Sequence, residues 1–317
     1  MPELPEVQTT VNGLNKTVKG LTIKSVWTDL AKSTVARPDY RESIKYLPFF
    51  KDLEKKVTGA KIVSAERRAK NILINLSHST SSGQANFTIL VHLKMTGHLL
   101  YGKYQKTKNN IFIPAPTEKN KYLSESINGH IHFALTFTNG KSLVLSDVRK
   151  FAKVTLLATK EAHLTKHLSS LGPEIFDSNF NKKKFEERLT KKPNGKIKSV
   201  LMDQNIISGV GNIYSDEALW LSGIHPESTV KKIGREDIYA LFFATKKVLE
   251  KGIKFGGDSM SDYRRIDGSP GDFSHEHNAY RRKGLPCKKK NCKGVIIRSV
   301  VGGRSAHFCN KHQKRFG

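Results

Sequence analysis

Cysteine is scarce in this chain: there are three, all after residue 286. An odd, clustered trio excludes a disulfide framework and reads as a metal site in an unexported protein. Acid is also short. Asp and Glu total 28 against 55 Lys and Arg, a formal net charge of +27. That balance excludes an average neutral-surfaced enzyme and points to a polyanionic partner, with nucleic acid favoured over an anionic membrane. No apolar run reaches the ~18 residues that a membrane span needs. Pro2, Glu3 and Glu6 stand where a secretory signal would carry its basic and apolar regions, so an intracellular protein is expected (cytoplasm or nucleoid, or nucleus in a eukaryote). After Glu276 no acid occurs, yet twelve Lys and Arg follow.

At 317 residues the chain has room for about two domains. Val7, Val11, Leu14 and Val18 mark one face of a helix opened by Pro5-Glu6 and closed by Gly20. Strand-like runs follow at 21–27, 60–67, 71–76 and 87–93. Runs 131–138 and 142–146 are joined through Asn139-Gly140, a hairpin signal, and 151–158 is another strand. Residues 102–129 are polar, with Asn109-Asn110 and two prolines, and are expected to be a long surface loop. Ser169-Ser170-Leu171-Gly172-Pro173 reads as a linker, after which 180–191, 197–204, 212–223 and 233–251 read as helices. The expected fold is α+β with two domains. An N-terminal β-sandwich with a flanking helix (1–168) and a linker (169–175) precede a helical domain (176–255). A loop region (256–282) and a metal-binding hairpin (283–317) complete the chain.

The terminus carries the first chemical signal. Removing Met1, which a small second residue permits, leaves Pro2 with a free secondary amine. An α-amino group titrates near pH ~8, so a useful fraction is nucleophilic at neutral pH. Such an amine forms a Schiff base with a sugar C1′ or a carbonyl carbon, and Glu3 can supply a proton. The alternative is that Pro2 and Pro5 merely shape the entry to the helix. At the other end, Cys287-x4-Cys292-x16-Cys309-x2-His312 has two ligand pairs separated by a hairpin-sized span. Three thiolates and one imidazole form a tetrahedral zinc set, with His307 competing for the fourth place.

Met1-Pro2-Glu3-Leu4-Pro5-Glu6-Val7 resembles the N-terminus of the formamidopyrimidine-DNA glycosylase / endonuclease VIII family. The resemblance extends over nearly the whole chain, weakest at 102–129. Lys70, in Arg67-Arg68-Ala69-Lys70, matches a family lysine that serves the lyase step. Met95, in His92-Leu93-Lys94-Met95-Thr96-Gly97, matches a methionine that fills the duplex where a base has flipped out, lowering the unstacking cost. Asp147-Val148-Arg149-Lys150-Phe151-Ala152 is similar to Asp-Pro-Arg-Arg-Phe-Gly, which implies that Arg149 pairs with the estranged base and Phe151 wedges beside it. Val148, Lys150 and Ala152 depart from that pattern. His130 matches a DNA-binding histidine.

Residues 201–219, Leu-Met-Asp-Gln-Asn through Asp-Glu-Ala-Leu, resemble the family's helix–two-turns–helix signature. Gly209 and Gly211 are expected to let the backbone approach a phosphate, and Asn212 to cap the next helix and bind DNA at its start. The resemblance places Lys198 at the DNA backbone and Glu217 near the lesion. Arg304, five residues before the third cysteine, matches an arginine that grips phosphates and supports strand cleavage. Residues 256–273, with Tyr263, resemble the stretch that covers oxidised purines. The resemblance implies a bifunctional glycosylase and abasic-site lyase. It would act as a monomer on duplex DNA with oxidised purines, through Pro2, Glu3, Lys70 and Arg304, with one structural zinc ion and no membrane partner. The alternatives are the oxidised-pyrimidine branch and a catalytically idle damage-binding protein.

Overall fold

A computed structural model describes residues 1–37, 41–78, 86–260 and 262–317. Ser261, part of the stretch resembling the lesion cover, lies outside the described residues. The chain divides into two compact units. The first holds Met1–Pro2, Glu6–Leu168 and Gly256–Asp272; the second holds Glu3–Pro5, Ser169–Phe255 and Phe273–Gly317.

In the first unit the helix α1 (Leu4–Thr17) is followed by β1 (Ile23–Thr28), α2 (Leu47–Val57), β2 (Lys61–Arg68), β3 (Asn71–Ser77) and β4 (Phe87–His92). Next come β5 (His98–Gly102), β6 (Tyr104–Lys106), β7 (Phe112–Pro114), β8 (Ile131–Phe137), β9 (Ser142–Ser146), β10 (Lys153–Ala158) and the short α3 (Lys166–Ser169), at whose end the chain leaves this unit. Two antiparallel four-stranded sheets form, in the orders β1-β8-β9-β5 and β10-β4-β3-β2. Alternate residues of both sheets, such as Phe133, Leu135, Ile72, Ile74 and Val91, share one core with Val7, Val11, Leu14 and Val18 of α1. This is a sandwich built by period-two burial with the N-terminal helix packed onto its core.

The segment expected to be a surface loop is instead folded. It carries the β6–β7 hairpin and two short 3-10 turns. Its Tyr104, Phe112 and Leu123 cover the second face of β1, β5, β8 and β9, against Trp27, Leu100, Ile131, Ala134 and Val144. Each such side chain contributes roughly 1.5–3 kcal/mol by leaving water, which is enough to order a polar segment. The expected surface-loop reading fails because three apolar residues widely spaced in sequence give no period.

The second unit contains α4 (Lys182–Leu189), α5 (Ile197–Leu201), α6 (Asn212–Ser222), α7 (Arg235–Lys254), β11 (Ile296–Val301) and β12 (Arg304–Cys309). Asn181 caps α4 by accepting from the N–H groups of Lys183 and Lys184. Gly223 closes α6 in the left-handed region, φ 76°. Phe185, Leu201, Tyr214, Leu241 and Leu249 centre its core, and Leu4 belongs to that core. The strands β11 and β12 pair antiparallel through a Gly302-Gly303 turn with φ of 57° and 75°.

Candidate active site

The chain terminus, the methionine turn and the Asp147 turn open onto one cavity of the first unit. It measures about 420 Å3 and is lined by Met1, Ser43, Lys45, Lys94, Met95, Phe151, Ala152 and Lys153. Met95 sits on the tight turn from β4 to β5, where Lys94 takes φ 54°. At Gly97 a Cβ would lie 2.6 Å from the Leu93 carbonyl, so only glycine closes that turn. Burial pulls the Lys94 ammonium below the ordinary lysine range, and Lys153 adds to this. Burial also lowers Lys45, although Asp147 opposes it.

The Asp147 turn holds its form without the family's proline. Asp147 is buried; it accepts from the Thr96 hydroxyl and the Arg149 N–H through one oxygen and from the Ala152 N–H at 2.7 Å through the other. Lys150 takes φ 57°, and its carbonyl accepts from Lys45 Nζ at 2.7 Å. The turn displays Phe151, which is 50% exposed, with the Arg149 guanidinium 4.5 Å from its ring centre. An exposed aromatic beside a donor fork is suited to replacing an extruded base. His130 is exposed, and its carbonyl accepts from the Asp147 N–H. The neighbouring His132 is buried and paired with Asp29 at 2.9 Å. Lys70 lies at the tight β2–β3 turn, preceded by Ala69 at φ 54°, and is buried.

The loop Gly256–Asp272 is tied to α1. Glu6 is buried, and its Oε1 accepts from the Asp258 N–H at 2.8 Å. Tyr263, expected at the lesion, is buried, and its hydroxyl donates to the Glu6 carbonyl. Burial raises its phenol well above the ordinary range. Tyr263 therefore anchors the loop on α1.

In the second unit Glu3 is buried, and its Oε1 accepts from the Ile213 N–H at 2.9 Å in the first turn of α6. The Leu4 N–H donates to the Gly209 carbonyl at 3.0 Å. A Cβ at Gly211 would lie 2.6 Å from Glu3 Oε1, and one at Gly209 would lie 2.6 Å from Leu4 Cδ1. The two glycines expected to admit a phosphate thus admit Glu3 and Leu4. Asn212 is not the cap: Gly211 holds that position, and Asn212 Nδ2 donates to Ser305 Oγ at 3.2 Å. A carboxylate from elsewhere in the chain has taken the capping role.

Two further expectations change here. Lys198, expected at the DNA backbone, is completely buried and ion-paired with Asp216; its ammonium has no surface to offer a phosphate. The second Asp216 oxygen accepts from the backbone N–H and Nδ1 of His307, at 2.9 and 3.0 Å. Removing one member of such a buried pair costs roughly 3–5 kcal/mol. Glu217, expected near the lesion, is buried, and its carboxylate accepts from the N–H groups of Asn278, Ala279 and Tyr280 at 2.8–3.0 Å. It shapes the turn at 278–280. Arg304 is exposed at the start of β12.

Cys287, Cys292, Cys309 and His312 bring their ligand atoms within 4.8 Å of one another. Cys292 Sγ lies 3.6 Å from Cys309 Sγ, and His312 Nδ1 lies 3.3 Å from Cys287 Sγ. Those are edge lengths of a tetrahedron around a metal ion with bonds of about 2.0–2.3 Å. His312 Nε2 donates to the Trp220 carbonyl at 3.0 Å, which leaves Nδ1 with its lone pair toward the sulfurs. Each thiol also receives a backbone N–H, from Lys289, Gly294 and Lys311. His307 is committed to Asp216. The donor set fits a tetrahedral metal ion, and His312 is the fourth member. Spacing left the two histidines open; Asp216 separates them, a partner no local pattern reveals.

A β-sandwich whose terminal Met1 lines one cavity with Met95 and Phe151, and a helical unit ending in a Cys3His hairpin, define a two-unit α+β protein. The N-terminal domain model of formamidopyrimidine-DNA glycosylase matches residues 1–154, and the helix–two-turns–helix model of the same enzyme matches 171–264. The formamidopyrimidine-DNA glycosylase of Roseobacter denitrificans is 36% identical over 314 residues, covering 99% of this chain and all of the relative. That of Bacillus subtilis is 35% identical over 318 residues with the same coverage. A crystal structure of a Lactococcus lactis variant in complex with Fapy-dG DNA has a TM-score of 0.79 at 30% identity, covering 99% of this chain and all of that one. A complex of the Lactococcus lactis protein with DNA containing an abasic site gives the same values. The chain belongs to the formamidopyrimidine-DNA glycosylase family.

Proposed function

We propose that this chain is a DNA glycosylase with abasic-site lyase activity, acting on formamidopyrimidines and 8-oxoguanine in duplex DNA. The observation that carries this reading is the single cavity onto which Met1, Met95 and Phe151 open. Once Met1 is removed, the Pro2 amine faces a space bordered by the groups suited to filling an emptied base stack. The +27 charge and the lysines of the cavity supply the attraction to phosphate.

Met95, Arg149 and Phe151 take the place of the extruded nucleotide. The Pro2 nitrogen attacks C1′, the bond from C1′ to the base breaks with its electron pair leaving on the base, the amine proton passes to the departing base, and Glu3 gives a proton to the ring oxygen. The sugar is left open as a Schiff base on Pro2. Successive eliminations then release the 3′ and 5′ phosphates, with Lys70 and Arg304 assisting. Cys287, Cys292, Cys309 and His312 hold one zinc ion, whose part is structural: it supports the hairpin that presents Arg304. The anchoring of residues 256–272 on Glu6, four positions from Pro2, supports the oxidised-purine branch over the pyrimidine branch. Bacterial relatives support an intracellular site of action.

Borohydride trapping tests the reading on duplexes carrying 8-oxoguanine opposite cytosine or an oxidised pyrimidine. An adduct mapped by mass spectrometry to Pro2 on the first duplex is expected. An adduct only on the second moves the protein to the pyrimidine branch. Tight binding with no adduct on either would make it an idle sensor.

A further inference from the structure

The folded segment between β5 and β8 has no role in the scheme above, yet it touches the loop at 256–272 repeatedly. Asn120 Nδ2 donates to the Asp267 carbonyl at 2.6 Å. Asn128 Nδ2 donates to the Tyr122 carbonyl at 2.7 Å and to the Gly268 carbonyl at 3.3 Å. Arg264 lies 3.8 Å from Glu125, and on the adjoining strand β5 the Tyr101 N–H donates to the Ile266 carbonyl at 2.8 Å. Gly268 takes φ 83°, and a Cβ there would lie 3.0 Å from Asn128 Nδ2 and 3.1 Å from Leu123 Cδ2. The loop is seated against this segment as closely as backbone allows.

Asn128 is completely buried and reaches in a second direction. Its Oδ1 lies 2.9 Å from Nε2 of His98, which is also completely buried. Because the Asn128 amide nitrogen already donates to two carbonyls, Oδ1 is the acceptor and His98 Nε2 carries the proton. The other ring nitrogen lies 3.2 Å from the Thr96 carbonyl. Thr96 follows Met95 and donates through its hydroxyl to Asp147, the anchor of the turn that carries Arg149 and Phe151. A hydrogen-bonded chain therefore runs from Gly268 through Asn128 to His98, whose other ring nitrogen packs against the Thr96 carbonyl beside the wedge-bearing turns, all inside one compact unit. Buried polar networks of this kind hold one geometry, since a half-satisfied member costs more than an apolar one.

We infer that residues 104–129 are a specificity brace: Asn128 and His98 are positioning residues that hold the loop at 264–270 in register with the base-replacing turns. The inference rests on the reading that this loop covers the damaged base. A brace matters where the base must be gripped for excision. It has little to do where the base is already missing.

The test compares Asn128→Asp and Asn120→Ala with the full-length parent. Asn128→Asp keeps the acceptor toward His98 and loses both donations; Asn120→Ala removes a contact at the partly exposed rim and guards against misfolding at the buried site. Single-turnover base excision is measured on the 8-oxoguanine and oxidised-pyrimidine duplexes, and strand cleavage on a preformed abasic duplex. Misplacement by about 1 Å slows a positioned reaction by up to ~100-fold. Excision is expected to fall about ten- to hundredfold, with abasic cleavage within about twofold of the parent. Hydrogen exchange at residues 265–268 is expected to quicken in both variants. Equal losses on excision and abasic cleavage, or no loss on either, would overturn the brace. A parent that excises only the pyrimidine would overturn the purine reading, and the same ratio on that substrate then judges the brace. A parent that excises neither base leaves the exchange result to judge it, and unchanged exchange overturns it.

Discussion

Pro2 is reactive only as a terminus, because a proline nitrogen inside the chain is an amide with no proton and no basicity. A form that retains Met1 changes no other side chain of the protein. It is expected to bind damaged duplex with near-parent affinity, to give no borohydride adduct and to release no base. A Met1-retaining protein that cleaves at the parent rate would remove Pro2 from the mechanism. His98 gives a second test at this scale. Burial lowers its pKa to about 4, against smaller raising contributions from the Thr96 carbonyl, Asn128 and Asp147. The unfolded chain takes up this proton as pH falls through ~6.5, while the folded chain resists until about 4. The stability held by the neutral ring is therefore complete above pH ~6.5 and is lost between ~6.5 and ~4, on the order of 3 kcal/mol. Melting temperature against pH is expected to fall less steeply in His98→Gln, which keeps a donor toward Asn128. Identical slopes would mean that the ring does not titrate with folding.

Elements were legible wherever one physical period ran unbroken. The 4-3-4 spacing from Val7 to Val18 gave α1, and short apolar strand-like runs gave most of the sandwich strands. α2 was missed because Pro48 opens it and lysines fill its outer face, so only Leu53 and Val57 are fully buried. The hairpin β6–β7 was missed because its stabilising partners lie on strands far away in sequence. The candidate site residues stood in motifs, but the contacts that hold them were not legible there: Asp216 selects His312 over His307, and Glu6 fixes the loop, through contacts that only the fold creates. The metal hairpin tests this ordering. A structural zinc site in a small motif contributes about 10–16 kcal/mol of binding free energy to folding. Cys292→Ala is expected to lose the bound metal, measured by atomic emission, to melt at lower temperature and to bind DNA weakly. His312→Cys is expected to retain one zinc ion per chain, and His307→Ala also to retain it. Loss of metal in His307→Ala with retention in His312→Ala would reverse the ligand assignment.

The whole molecule meets DNA with a net charge of +27, and that charge makes affinity depend on salt. Each phosphate neutralised by a cation contributes a slope of about 0.9 in log K against log salt, and removing one contact lowers the slope by about 1. The structure sorts the lysines and arginines by whether they can contribute. Arg304 is exposed at the hairpin tip, so Arg304→Gln is expected to weaken binding and lower the slope by about 1. Lys198 is sealed against Asp216, so Lys198→Gln is expected to lower thermal stability and leave the slope at the parent value. Titrations of an abasic-analogue duplex at four or five salt concentrations, with melting curves on the same preparations, separate the two effects. A slope lowered equally by both substitutions would place Lys198 on the DNA and show that its bond to Asp216 opens on binding. A slope unchanged by either would mean that the hairpin arginine works in cleavage alone, leaving the cavity lysines and the wedge turns to carry the attraction.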